Sequence, residues 1–216
     1  MNHLKTFSLY FGLLTGTFLG TLSFDALASQ SLPKTLEERN YSGAIQHARK
    51  LPANQVISEL TPFVQQDLTP AQWILADAYW RKGQNQLAIE WAYVALVGTQ
   101  LDTATGCRNQ TAGMGWMINA FQPIFREARR TPQVQSMALR KAMSYHQSRK
   151  TNALPQDYAW ICRINASLRH EKWTPKNLPA ETLQRLRNAE LNSLINKVGV
   201  LETQILSEGG DWDIVK

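Results

Sequence analysis

The chain has 216 residues, of which 44% are hydrophobic and 19% charged, and it carries a net charge of +6. That is long enough for one domain with a core of its own. Twelve Gly exclude a collagen-like chain, two Cys exclude a disulfide-stapled miniprotein, and seven Trp exclude wholesale disorder.

The first 28 residues read as an address. Met1–Lys5 is short and mildly basic, Thr6–Phe24 is rich in Leu and Phe, and Ala26-Leu27-Ala28 gives a small-x-small site before Ser29. That order is expected of a secretory signal peptide cut after Ala28. An uncleaved anchor helix is the alternative, since the apolar stretch is just long enough to cross a bilayer. No Cys lies near it to take a lipid, and no later stretch is apolar enough to span. Cleavage would leave 188 residues in the periplasm or outside the cell, still at +6, and would remove four of the seven Phe. Export would place Cys107 and Cys162 in an oxidising compartment, where an even count favours a disulfide over two separate buried thiols. The bridge would close a loop of about 56 residues, worth roughly 4 kcal/mol in the chain-entropy model. Sequons at Asn40, Asn109 and Asn165 are expected by chance in a chain this rich in Asn, Ser and Thr.

From Thr35 the chain reads as successive helices broken by Pro and Gly, without the two-residue alternation of a sheet. The expected fold is all-α: one domain over 29–216, built of about eight helices stacked as hairpins. Leu36–Leu51 carries Tyr41, Ala44, Ile45, Ala48 and Leu51 on one face, Ala53–Gln66 follows, and Pro52 and Pro62 are expected to interrupt this pair. Thr69-Pro70 reads as a cap and first turn. The helix it opens runs through Trp73, Leu75, Ala76 and Tyr79 to Lys82; Gly83 turns the chain, and a second helix runs from Asn85 to Leu96. Leu75-Ala76-x2-Tyr79, Gly83, then Ala88-x3-Ala92-x2-Ala95 resembles a tetratricopeptide or Sel1-like repeat over about residues 36–100. The resemblance implies a helix hairpin in which Ala76, Ala88 and Ala95 allow close approach and Tyr79 fills the gap. Ala44-Ile45-x2-Ala48 echoes Ala88-Ile89-x2-Ala92 upstream.

Gly98–Gly115 is expected to be the main irregular region, as it is rich in Thr, Gly, Asn and Gln. Helical patterning resumes over 112–207. Trp116–Arg130 should be kinked or split by Pro123, and Thr131-Pro132 should open the next helix. Asn152–Pro155 reads as a turn, Gln156–His170 as a helix, Lys172–Pro179 as a connector and Ala180–Ser207 as a long last helix, with a short tail over 208–216.

No catalytic motif with specificity occurs: HExxH, GxSxG, SxxK and the P-loop are all missing, and no cofactor or metal site is indicated. His47, His146 and His170 are widely separated and are expected at a surface or interface. A sugar hydrolase would need two carboxylates across a cleft; Glu59, Asp77, Glu90 and Glu127 are the candidates near the helical core. Charge is the stronger signal. No acidic residue occurs from Ala128 to Gln156, while Arg129, Arg130, Arg140, Lys141, Arg149 and Lys150 are basic, and Arg163, Arg169, Lys172, Lys176, Arg185 and Arg187 follow. Such a face attracts an acidic partner. Aromatic interleaving of the kind that stacks bases is not evident, so nucleic acid is not expected, and a membrane is implied only by an uncleaved leader. The expected function is an exported helical protein-binding module, such as an adaptor or an immunity-type inhibitor of a secreted toxin. The alternative is a cell-envelope hydrolase with an unrecognised acidic pair.

Overall fold

The computed structural model describes residues 31–107, 112–149, 157–172, 174 and 178–208. Among them are ten α-helices and no strand: α1 Leu32–Glu37, α2 Tyr41–Lys50, α3 Ala53–Gln65, α4 Thr69–Arg81, α5 Asn85–Gly106, α6 Ala112–Ala120, α7 Gln122–Arg130, α8 Pro132–Ser148, α9 Trp160–Leu168 and α10 Ala180–Glu208. The expected leader over 1–28 and the tail beyond 208 lie outside the described residues. Ser31–Lys216 forms one compact unit.

The organisation follows from one sequence. Between Ala88 and Leu101 the only charge is Glu90. A helix that is apolar all round has to be buried all round. It becomes the middle of α5, where every residue from Ala92 to Thr99 is buried. Six helices pack on it: α4, α6, α7, α8, α9 and α10. No described helix is long and apolar enough to cross a membrane.

α4 and α5 form the hairpin that the repeat-like residues suggest, and each is the other's most extensive neighbour. Gly83 turns between them at φ +75, a left-handed conformation that costs a side chain dearly and Gly little. Ala76, Ala88, Ala92 and Ala95 are wholly buried, Leu75 nearly so, and Tyr79 is half-buried against the core. α3 packs on α4 and α1 on α2, so the N-terminal half is a stack of short antiparallel helices. Trp73 closes the hairpin against α7. Its ring lies 4.9 Å from that of Phe121 and 5.9 Å from that of Phe125, and its Nε1–H donates to Thr99 Oγ1 at 2.9 Å. A buried indole needs such a partner for its N–H.

Several boundaries differ from expectation, which is why ten helices occur where about eight are expected. Leu36–Leu51 is not one helix: Arg39 adopts φ 59, and Asn40 then caps α2 by accepting from the Gly43 N–H at 3.0 Å. Thr69 does not cap α4; Leu68 holds that position, and the Thr69 hydroxyl is taken by Asp102 across the hairpin. Pro62 sits inside α3 without ending it. The expected loop from Gly98 is helical to Gly106. The Thr residues that suggest a loop turn their hydroxyls onto the helix: Thr99 donates to the Ala95 carbonyl at 2.7 Å and Thr103 to that of Thr99 at 2.8 Å. Once satisfied in this way they can be buried inside α5. Phe121 and Pro123 split Trp116–Arg130 into α6 and α7, as Pro predicts. Helix α9 starts at Trp160, after a turn over 157–159. Asn152–Pro155 lies outside the described residues.

Cys107 and Cys162 are bonded, with Cα atoms 5.5 Å apart, and join the end of α5 to α9. Gly106 makes the approach feasible, since a Cβ there would lie 2.5 Å from Cys162 Sγ. Asn165 supports the clasp: its Nδ2 reaches Cys107 Sγ at 3.7 Å and its Oδ1 accepts from the Gly113 N–H. Its burial leaves no room for a glycan on the folded chain.

Candidate functional site

Among the described residues three carboxylates are buried, Asp102, Asp157 and Glu202, and the first two each tie several helices into a cluster. Asp102, on α5, is 0% exposed. Its Oδ2 accepts from Thr69 Oγ1 at 2.7 Å and from Trp160 Nε1 at 2.9 Å, while its Oδ1 accepts from Arg187 Nη1. Thus α4, α9 and α10 all donate to one carboxylate on α5. Arg187 also donates through Nη2 to Asp67 Oδ2 at 3.0 Å, so one guanidinium bridges two acids. Asp67 sits in the turn between α3 and α4 at φ 57, where its Oδ1 accepts from Gln72 Nε2 at 2.9 Å. His146 completes the cluster from α8. Its Nε2–H donates to the Val94 carbonyl at 2.8 Å, and its Nδ1 lies 3.8 Å from Asp67 Oδ1. Gly98 permits the crowding, because a Cβ there would come within 3.0–3.2 Å of Thr69, Gln72 and His146 atoms.

Burial sets the protonation here. It pushes Asp102 up to about 6 against the pull of Arg187, Thr69 and Trp160, and it pushes His146 down to about 4 against the pull of Asp67. A carboxyl with a raised pKa is a mark of catalytic sites. Asp102, however, is closed off on every side, and its oxygens are all engaged by the fold, so it is placed to hold helices together rather than to meet a substrate.

The second cluster joins the N-terminal helices to α9. Asp157 accepts from Tyr41 Oη at 2.6 Å, from the Ala159 N–H at 3.2 Å and from Arg163, and Arg39 stands 4.0 Å away. Burial and then the Asp157 bond hold the Tyr41 hydroxyl well above its ordinary range.

The acidic candidates of the sequence are not brought to one site. Asp77 pairs with Arg49 at 3.5 Å and with Arg81 at 2.9 Å, Glu90 pairs with Lys141, Glu127 pairs with Arg130 at 2.9 Å, and Glu59 accepts from Gln55 at 2.8 Å. Each belongs to a different helix. His47 is half-buried and His170 is exposed, but His146 is not at a surface: it lies in the core, at the helical spacing of Leu139, Ala142 and Met143. Among the described residues no group of three His, Cys, Asp or Glu could hold a metal ion.

The basic face takes on structure. Arg126, Arg129 and Arg130 are exposed along α7, with Glu127 as the only carboxylate among them. Arg140 and Lys141 on α8 are exposed too, but carboxylates from elsewhere in the chain meet them. Glu202 of α10 takes both Arg140 Nε and Nη2, and Glu90 of α5 takes Lys141. Arg149 sits over Tyr145, its guanidinium carbon 3.8 Å from the ring centre. Lys150 lies outside the described residues. The acid-free run in the sequence is therefore partly neutralised in space: Arg130 pairs with Glu127, Arg140 with Glu202 and Lys141 with Glu90.

Asp67 and Asp102, and the bridging role of Arg187, escape the sequence reading. A signal exists for two of them. Asp102 follows an uncharged run from Trp91 to Leu101, and Arg187 sits four residues from both Leu183 and Leu191, on the buried stripe of α10. Comparison with protein-family models, with curated proteins and with solved structures returns no match for this chain.

Proposed function

We propose that this chain is an exported helical module that binds an acidic protein partner through the basic outer surface of α7 and the adjoining turn of α8. The observation that carries the reading is the row Arg126, Arg129 and Arg130, three exposed arginines on one side of a nine-residue helix whose other side is core. Dense one-sign surface charge raises the encounter rate with the opposite sign and selects against like-charged partners. The Cys107–Cys162 bond supports export, because such bonds persist in oxidising compartments. The leader over 1–28, cut after Ala28, and the degenerate tetratricopeptide or Sel1-like character of residues 36–100 belong to the same proposal. An adaptor or an immunity-type inhibitor would use such a surface.

A cell-envelope hydrolase requires a carboxyl of raised pKa at the floor of a cleft. Asp102 has the raised pKa but is enclosed. Affinity capture from envelope extract separates the two readings. The wild-type chain retains a specific acidic partner and the R126E/R129E/R130E variant does not. Loss of capture with both, together with turnover of cell-wall polymer, would favour the hydrolase.

A further inference from the structure

At the other end of α8 from α7, the seam between α5 and α8 carries a different constellation. Leu87 and Trp91 stand one turn apart on α5; Lys141 and Tyr145 stand one turn apart on α8, and Arg149, its C-cap residue, follows at the same spacing. The spacing puts each set on one stripe of its helix. Trp91 meets Tyr145 edge to face, with ring centres 5.7 Å apart at 76°. Arg149 stacks on Tyr145. Leu87 is exposed at 36% in a chain that buries most of its large apolar residues.

The Tyr145 ring is rigidly placed. Its hydroxyl donates to the Val64 carbonyl at 3.0 Å and receives Gln72 Nε2 at 3.4 Å, which ties it to the buried Asp67 cluster. A guanidinium stacked on such a ring is held by its face, while its N–H donors lie in the plane and point outward. No carboxylate among the described residues pairs with Arg149. A pre-placed guanidinium matches a two-oxygen edge, that of a carboxylate or a phosphate, and the apolar groups beside it favour the carboxylate of a protein segment. Beside it, Leu87 and the exposed edge of Trp91 offer an apolar contact, and Trp, Tyr and Arg are the residue types that dominate binding energy at protein interfaces.

We propose that this seam is an anchoring subsite for an acidic segment of a partner protein, with a carboxylate on Arg149 and a neighbouring apolar side chain against Leu87 and Trp91. The assignment rests on the protein-binding reading above and adds to it the chemistry of the segment recognised. The charge of the surroundings fits: no acidic residue occurs between Ala128 and Gln156, and the nearest carboxylate on α5, Glu90, is already paired with Lys141.

Two capped peptides, EEFLEE and EEGGEE, titrated into the 15N-labelled, disulfide-intact chain, test it. EEFLEE is expected to shift the Trp91 indole and Arg149 Nε–H signals saturably, and EEGGEE to bind about tenfold more weakly for want of the apolar contact. R149Q is expected to weaken EEFLEE by about tenfold. R149K should weaken it nearly as much, because an ammonium keeps the charge but loses the planar fork. Arg149 is half-buried, and unchanged melting temperatures of both variants would show that the fold is intact. Equal affinity of R149K and wild type, or no seam shift at millimolar peptide, would overturn the proposal. Shifts confined to α7 would overturn it too, while leaving the protein-binding reading in place.

Discussion

Asp102 and His146 are two buried groups of opposite charge type, and their effects on stability should cancel. In the folded chain Asp102 titrates at about 6 rather than its ordinary 3.8, and His146 at about 4 rather than 6.5. Between pH 4 and 6 the unfolded chain therefore carries an ionised Asp102 and a protonated His146. The folded chain carries both groups neutral. Raising the pH through this window costs the folded state the Asp102 proton that the unfolded chain has already lost, which destabilises. It costs the unfolded state the His146 proton that the folded chain never held, which stabilises. From 3.8 to about 6 for Asp102 and from 6.5 to about 4 for His146, each arm is worth about 3 kcal/mol across its window. The perturbations are single neutral replacements, D102N and H146Q, and the assay is denaturant unfolding of the disulfide-intact chain from pH 4 to 7. Other carboxylates also titrate here, so the informative quantity is the difference from wild type at each pH. D102N removes the destabilising arm and should gain about 3 kcal/mol on wild type between pH 4 and 6. H146Q removes the stabilising arm and should lose about as much between pH 4 and 6.5. Difference curves that are both flat, or that slope the same way, would refute the assignment of burial as the cause of both shifts.

Other consequences are simpler to read. R187M strips the bridge from Asp67 and Asp102 and leaves two acids without their cation; the expected loss is about 3–5 kcal/mol in chemical denaturation. C107S/C162S releases a loop spanning 55 residues and should cost about 4 kcal/mol relative to the oxidised chain under the same assay. G106A should leave free thiols in non-reducing mass spectrometry, because its Cβ would meet Cys162 Sγ at 2.5 Å; complete oxidation would show that the backbone yields there. G83A meets no neighbour within 4 Å, so its cost should be conformational alone, about 1 kcal/mol in denaturant midpoint terms.

The helical architecture was legible because it depends on local pattern. The alanines at 76, 88 and 95, the turn at Gly83 and the break at Pro123 each act within a few residues of themselves. The errors arise where a residue answers to a distant one. Thr69 has the composition of a cap, but its hydroxyl serves Asp102, 33 positions away. The Thr-rich stretch after Gly98 has the composition of a loop, but its place at the centre of the molecule requires a helix, which back-bonded hydroxyls make tolerable. His146 looks like a surface residue until its spacing from Leu139, Ala142 and Met143 is taken as a core stripe. The basic run was visible as composition. Its partial neutralisation by Glu90 and Glu202 was not, since those acids lie 51 and 62 positions from their partners.

The most direct measurement is the dissociation constant of the captured partner against salt, for the wild-type chain and for R126E/R129E/R130E. If α7 is the docking surface, wild-type affinity falls steeply as salt screens the arginines, and the charge-reversed chain, equally stable, shows no measurable binding at any salt. An affinity that is the same for both chains and indifferent to salt would contradict the reading of α7 as the surface that meets the partner.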